Sequence, residues 1–137
     1  MKLTRRSVSA GMLSGFTALP ALLATPLEAA TKGPRQCLTV LYPWQPDAHF
    51  DFDYYSHKHL AMMSTLYGKS VGPMQVRKGL HKGDGSAPAF IAIMTVEIHS
   101  MEAFDAAGKL HLPKLMADLP NFSNITPVGQ IEEIVGV

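Results

Sequence analysis

From Arg35 to Tyr42 the apolar residues Cys37, Leu38, Val40 and Leu41 fall on both sides of an extended segment, the pattern of a strand buried on both faces. Pro43, Pro46 and Asp47 end it, and the loop to Phe50 carries His49 and Trp44, the one tryptophan of the chain. From Asp51 to Leu66 the period lengthens. Phe52, Tyr55, His59, Met62, Met63 and Leu66 recur at three- and four-residue steps, so on a helix they share one face. Asp51 suits the N-cap, Asp53 lies in the first turn, where a carboxylate meets unpaired amides, and Gly68 supplies a left-handed exit. Val71 to Leu80 reads as a second strand with Met74, Val76 and Leu80 in alternation, and Lys82-Gly83-Asp84-Gly85-Ser86 as a hairpin connection. Ala89 to His99 is a strand with two apolar faces, Phe90, Ala92, Met94, Val96 and Ile98 on one and Ala89, Ile91, Ile93 and Thr95 on the other.

Ser100 caps a second helix whose buried stripe is predicted as Met101, Phe104, Ala107 and Leu110. Pro113 is predicted to open a separate short helical piece that runs through Leu115 and Met116 to Asp118, since proline suits a first turn and not an interior. Leu119-Pro120-Asn121 turns the chain. Phe122 to Val135 gives a last strand, interrupted at Pro127 and Gly129 and so expected at an edge or with a bulge.

The order strand, helix, strand, strand, helix, strand is the βαββαβ plan of an α+β, ferredoxin-like fold: a four-stranded antiparallel sheet with both helices on one face. Two helices cover only one face. The apolar second face, represented by Ile91 and Ile93, calls for a cover, and a second copy of the chain packed face to face is the expected one. The competing arrangement packs those residues under the loop from Pro43 to Phe50.

Residues 1–30 follow a different plan. Lys2, Arg5 and Arg6 precede a moderately apolar run from Val8 to Leu23 that ends in small residues at Ala29 and Ala30, the layout of an export signal. Gly11, Ser14, Gly15 and Pro20 make the run a poor membrane helix. Thr4-Arg5-Arg6-Ser7-Val8 resembles a twin-arginine signal, and a general secretion signal is the alternative; both predict a periplasmic protein. The domain proper is then 31–137. Loss of three basic and one acidic residue moves the formal charge from +1 to −1, so no basic patch argues for nucleic acid or an anionic membrane. Cys37 is the only cysteine and forms no intrachain disulfide, which leaves packing to hold the domain.

The candidate chemistry lies in the first helix. His59 points where the apolar residues point, while His57 falls on the opposite side. A histidine titrating near neutral pH can serve as general acid or base, here at the mouth of a pocket lined by Tyr42, Tyr55 and Met62, with Tyr55, one turn before it on the same face, as its catalytic partner and Trp44 as a further substrate contact. The plain alternative is a core histidine. Asp118 is a candidate to orient His59 across the fold, or else a helix-end cap before Pro120. Tyr54 reads as a flanking aromatic. No metal site is expected, since His57 and His59 do not share a face and no motif places a third ligand. Gly83-Asp84-Gly85 sits in a hairpin without a following helix, so it is no dinucleotide turn, and the cofactor stays unknown. A haem held by His59 or His111 is the alternative cofactor reading. Cys37, in a buried strand, is a poor nucleophile.

Tyr42-Pro43, Phe50-Asp51, Tyr54-Tyr55 with His59, Asp118, Asn121-Phe122 and Gln130-Ile131 together resemble the EthD family, a branch of the dimeric α/β-barrel group. The resemblance runs from Cys37 to Val135, and the tyrosine pair followed four residues later by histidine is its most specific part. It implies a ferredoxin-like homodimer, named in the family as a reductase, that acts on a small apolar or aromatic molecule. An export signal departs from the pattern of many relatives. Two readings follow: an exported oxidoreductase-type enzyme with proton-coupled chemistry at His59, and a non-catalytic small-molecule-binding or accessory dimer.

Overall fold

A computed structural model of the chain describes residues 33–136. The expected export signal at 1–30 lies outside them. Strands β1 (Gln36–Pro43), β2 (Val71–Lys78), β3 (Phe90–Ile98) and β4 (Val128–Glu133) form one sheet in the order β2-β3-β1-β4, every neighbouring pair antiparallel. Between β1 and β2 run α1 (Phe52–Tyr54), a π turn (Tyr55–His59) and α2 (Leu60–Tyr67), and between β3 and β4 runs α3 (Met101–Asp118). This is the ferredoxin-like α+β plan expected from the pattern of apolar positions.

The register shows which side is the core. Tyr42, Val40 and Leu38 on β1 stand opposite Ala92, Met94 and Val96 on β3, and these pack with Leu60, Met63 and Tyr67 of α2 and Leu115 of α3 in one cluster. Both helices therefore cover the same face. The other face carries Leu41, Ile93 and the half-buried Ile91, but it is more polar than expected. Thr39 and Cys37 are buried there beneath Glu132, with Thr39 Oγ1 donating at 2.7 Å and Cys37 Sγ at 3.3 Å to its Oε2. Burial first, then the Glu132 carboxylate, pushes the Cys37 thiol up from its ordinary value. Arg35 binds Glu97 through two hydrogen bonds of 2.9 Å, and Arg77 donates to Gln75 and Thr95.

The structure differs from the sequence expectation at several elements. The first helix is not one α-helix, because a five-residue π turn interrupts it. The second is unbroken from Met101 to Asp118 with Pro113 inside, not two pieces. Its ordinary helical bonds on either side of Pro113 tolerate one missing N–H, and the ring projects into solvent. Leu110, expected in the buried stripe, is exposed. The last strand begins at Val128, not Phe122, and pairs with β1 in unbroken register through Gly129, so it is an edge strand without a bulge. Phe122 belongs to the core instead.

Candidate functional site

The site forms where two chain segments far apart in sequence are stitched together. The Asp51 amide donates to the Phe122 carbonyl at 2.7 Å, and Phe50 and Ser123 make an isolated antiparallel bridge. Ser123 Oγ donates to the His49 carbonyl at 2.9 Å, while Asn124 accepts from the His49 amide at 2.7 Å and donates to the Asp47 carbonyl at 2.8 Å. These bonds hold the start of the first helix against the end of α3. Asp51 also caps that helix, its Oδ1 accepting from the Tyr54 amide at 2.9 Å.

The π turn then presents His59. The Leu60 amide reaches back to the Tyr55 carbonyl, a wide turn that carries one residue more than an α turn. With the extra residue, Tyr55, His59, Leu60, Met63 and Tyr67 all come to the buried side. The His59 imidazole, in a residue only 8 % exposed, lies stacked on Tyr55, with ring centres 5.3 Å apart and planes at 15°. Phe122 closes the other side, its ring centre 4.6 Å from that of His59.

His59 Nδ1 stands 2.9 Å from Asp118 Oδ2. The second carboxylate oxygen, Oδ1, accepts from the Tyr54 hydroxyl at 2.8 Å and from Asn121 Nδ2 at 2.9 Å. Burial pushes the Asp118 carboxyl up, but the hydrogen bonds from Asn121, His59 and Tyr54 outweigh it and hold the group below its ordinary range. The Tyr54 hydroxyl is raised, chiefly because it donates to Asp118. A carboxylate offers only lone pairs, so Nδ1 carries the proton and the neutral ring has its free lone pair at Nε2. Nε2 makes no hydrogen bond to any described residue. No buried side-chain nitrogen or oxygen among the described residues lacks a partner, so Nε2 reaches accessible space. An imidazole pinned at one nitrogen and open at the other can take up or release a proton at the open one.

The structure brings His59 and Asp118 together and adds two residues that the sequence reading named in the family resemblance but gave no role in the site. Tyr54, taken as a flanking aromatic, binds the same carboxylate, and Asn121, three residues after Asp118, clamps it. The spacing of Asp118 and Asn121 at a helix end was the available signal. Tyr55 is placed in the core at 1 % exposure, its phenol pushed far up by burial. Tyr42 packs edge-on against it, 5.6 Å between ring centres, and burial raises its hydroxyl to about 12. Met62, expected to share a pocket with Tyr42 and Tyr55, is half-buried against the same core cluster, and none of the three lines the cleft described below. Trp44 lies on the loop after β1, largely exposed, and none of its contacts joins it to His59. His57 is in solvent, 3.1 Å from Asp53. Among the described residues no group of three His, Cys, Asp or Glu side chains could hold a metal ion.

A cleft of about 540 Å³ opens elsewhere on the helical side, between α3 and the β1–β4 edge of the sheet. Its walls are Leu38, Val40, Phe104, Leu112, Met116 and Ile131, and His59 is not among them.

No family model matches the sequence, and no curated protein matches it. Among solved structures, an EthD-like protein from Ralstonia eutropha JMP134 is 34 % identical with a TM-score of 0.70, over 75 % of this chain and 94 % of that one. The chain belongs to the EthD-like family. An EthD family protein from Bacillus halodurans C-125 is more distant from this EthD-like chain, at 17 % identity and a TM-score of 0.46 over 69 % of this chain and 96 % of that one. A dimeric ferredoxin-like protein of unknown function from Thermobifida fusca YX stands at 12 % identity and 0.48, over 75 % and 93 % of the two chains.

Proposed function

We propose that this EthD-like domain transfers protons to and from a small, largely apolar organic molecule, with His59 Nε2 as the group that meets it. The single observation behind the reading is the imidazole bound at Nδ1 by Asp118 and left open at Nε2. Asp118 fixes the tautomer and steadies the imidazolium when it forms, and Tyr54 and Asn121 keep Asp118 ionised and in place. His59 is the catalytic residue, and Asp118 and Tyr54 are positioning residues. The chain's own side chains supply the proton site; electrons for an oxidoreductase reaction would come from a co-substrate.

The test begins with mass spectrometry of the small molecules that co-purify with the full chain, followed by turnover of the molecule found. His59→Gln should lower the rate by about 100-fold or more while its affinity stays within a few-fold, the loss typical of a deleted acid or base. Unchanged turnover in that variant overturns the reading. A non-catalytic binding module is the second reading, favoured by the tight enclosure of His59 and by its absence from the walls of the apolar cleft. Under it, His59→Gln weakens the fold and leaves ligand affinity alone.

Assembly and location complete the proposal. We infer a homodimer through the open face of the sheet, where Leu41 and Ile93 stand beside oppositely charged arginine and glutamate side chains that can complement a second copy across a two-fold axis. A monomer mass in sedimentation equilibrium at micromolar concentration overturns it. Residues 1–30 act in this reading as an export signal to the periplasm; a reporter fused to them that stays in the cytoplasm refutes it, and dependence on the Arg5-Arg6 pair separates the twin-arginine route from general secretion.

A further inference from the structure

The cleft between α3 and the sheet edge makes no use of His59, yet three exposed large apolar side chains of the described residues gather around it. Leu112, Met116 and Ile131 are 50 %, 45 % and 47 % exposed, and all three face into it. Leu38, Val40 and Phe104 form its floor and are only half-buried. A volume of about 540 Å³ lies within the usual range of small-molecule sites, roughly 300–1,000 Å³. A folded domain does not ordinarily gather such side chains around empty space, because each remains in water that a partner would displace.

One polar group inside the cleft gives the occupant its chemistry. Tyr67, at the end of α2, lines the cleft, and its hydroxyl makes no hydrogen bond to any described residue. Since no buried side-chain oxygen among the described residues is without a partner, that hydroxyl reaches the accessible space. Burial pushes its titration up, so it stays a neutral O–H donor. Gly108 of α3 lies beside it: a Cβ at that position would stand 3.4 Å from the Tyr67 hydroxyl oxygen, an ordinary contact. At the rim, Asp105 and Lys109 lie one helical turn apart and offset each other's charge, which gives the entrance no preference for an ion.

We propose that this cleft binds an uncharged, mainly apolar small molecule with one hydrogen-bond-accepting oxygen, its apolar body against Leu112, Met116 and Ile131 and the oxygen accepting from the Tyr67 hydroxyl, for which an aromatic ketone is a suitable probe. The proposal is independent of proton transfer at His59, and its test reads binding alone. Purified full-length chain, with methionine and isoleucine methyl groups labelled for NMR, is titrated with 1-acetonaphthone, with naphthalene and with 1-naphthoate. The ketone should shift the Met116 and Ile131 methyl signals and bind more tightly than the hydrocarbon or the carboxylate. Tyr67→Phe should weaken the ketone about fivefold, as loss of one neutral hydrogen bond does, and leave naphthalene unchanged. Leu112→Trp, and from the opposite wall Ile131→Trp, should abolish binding by filling the space, with circular dichroism showing that each variant is folded. The proposal is overturned if the ketone leaves the cleft methyl groups unmoved, if Tyr67→Phe does not separate ketone from hydrocarbon, or if contacts from a second copy or from residues 1–32 already occupy the cleft.

Discussion

Asp118 holds the site together through two oxygens that accept three hydrogen bonds, from His59, Tyr54 and Asn121. Its carboxyl is depressed below the ordinary 3.8, so the folded state favours the ionised form. A depressed carboxylate stabilises the fold fully above the unfolded value and loses that contribution as pH falls through the lower, folded one. Asp118→Asn should therefore unfold at lower urea, by about 1–2 kcal/mol between pH 5 and 7, and the gap from wild type should close below about pH 3.8. A gap that persists once the folded carboxyl has been protonated would assign the loss to packing. Tyr54→Phe should lower stability, and its effect should shrink in the Asp118→Asn background because both changes remove the same bond. Among single residues, the sequence displayed His59 and Asp118 as types that can do acid–base work, but Tyr54 and Tyr55 exchanged roles. A one-residue difference in a helix turn decides which phenol meets the core and which meets the carboxylate.

At the scale of elements, the strands and helices were legible because each carries its own period of apolar positions, and the N-caps at Asp51 and Ser100 were legible because their side chains act within three residues. The π turn was not, since a wide turn has no local residue signature and exists because Tyr55, His59 and Met63 all find partners on one side. Pro113 misled the reading in the opposite direction. It sits inside α3, where it offers no N–H to the Lys109 carbonyl, so Pro113→Ala should raise stability by about 1–2 kcal/mol in urea unfolding. A decrease would mean that the proline shapes the helix for the cleft beside it. Gly79 marks a tighter constraint. A Cβ there would lie 1.9 Å from the Phe90 carbonyl oxygen and 2.9 Å from Pro88 Cβ, so Gly79→Ala should part the end of the β2–β3 pair and remove more than about 3 kcal/mol.

At the scale of the molecule, one face of the sheet is covered by helices and the other by none of the described residues in a regular element. The alternation on β3 announced this division, since both Met94 and Ile93 belong to apolar rows. It did not announce the polar rows beside them, Thr39 and Cys37 under Glu132, with Gln130 bonded to the same carboxylate. Those contacts join strands that are distant in sequence and depend on register. If the open face is the dimer seam, Ile93→Lys should shift sedimentation from dimer to monomer while circular dichroism keeps the wild-type form. A dimer that survives the substitution would place the seam elsewhere.

The sequence by itself determined the kinds of element, their order, the ferredoxin-like plan and the residue types from which a site could be made. Each of these rests on interactions within a few residues or on a repeating period. Tertiary structure decided the partnership of His59 with Asp118 across 59 positions, the recruitment of Tyr54 and Asn121, the burial of Tyr42 and Tyr55, and the cleft beside Tyr67. Those depend on how far apart whole elements come to rest when their side chains pack, a distance that no local pattern contains.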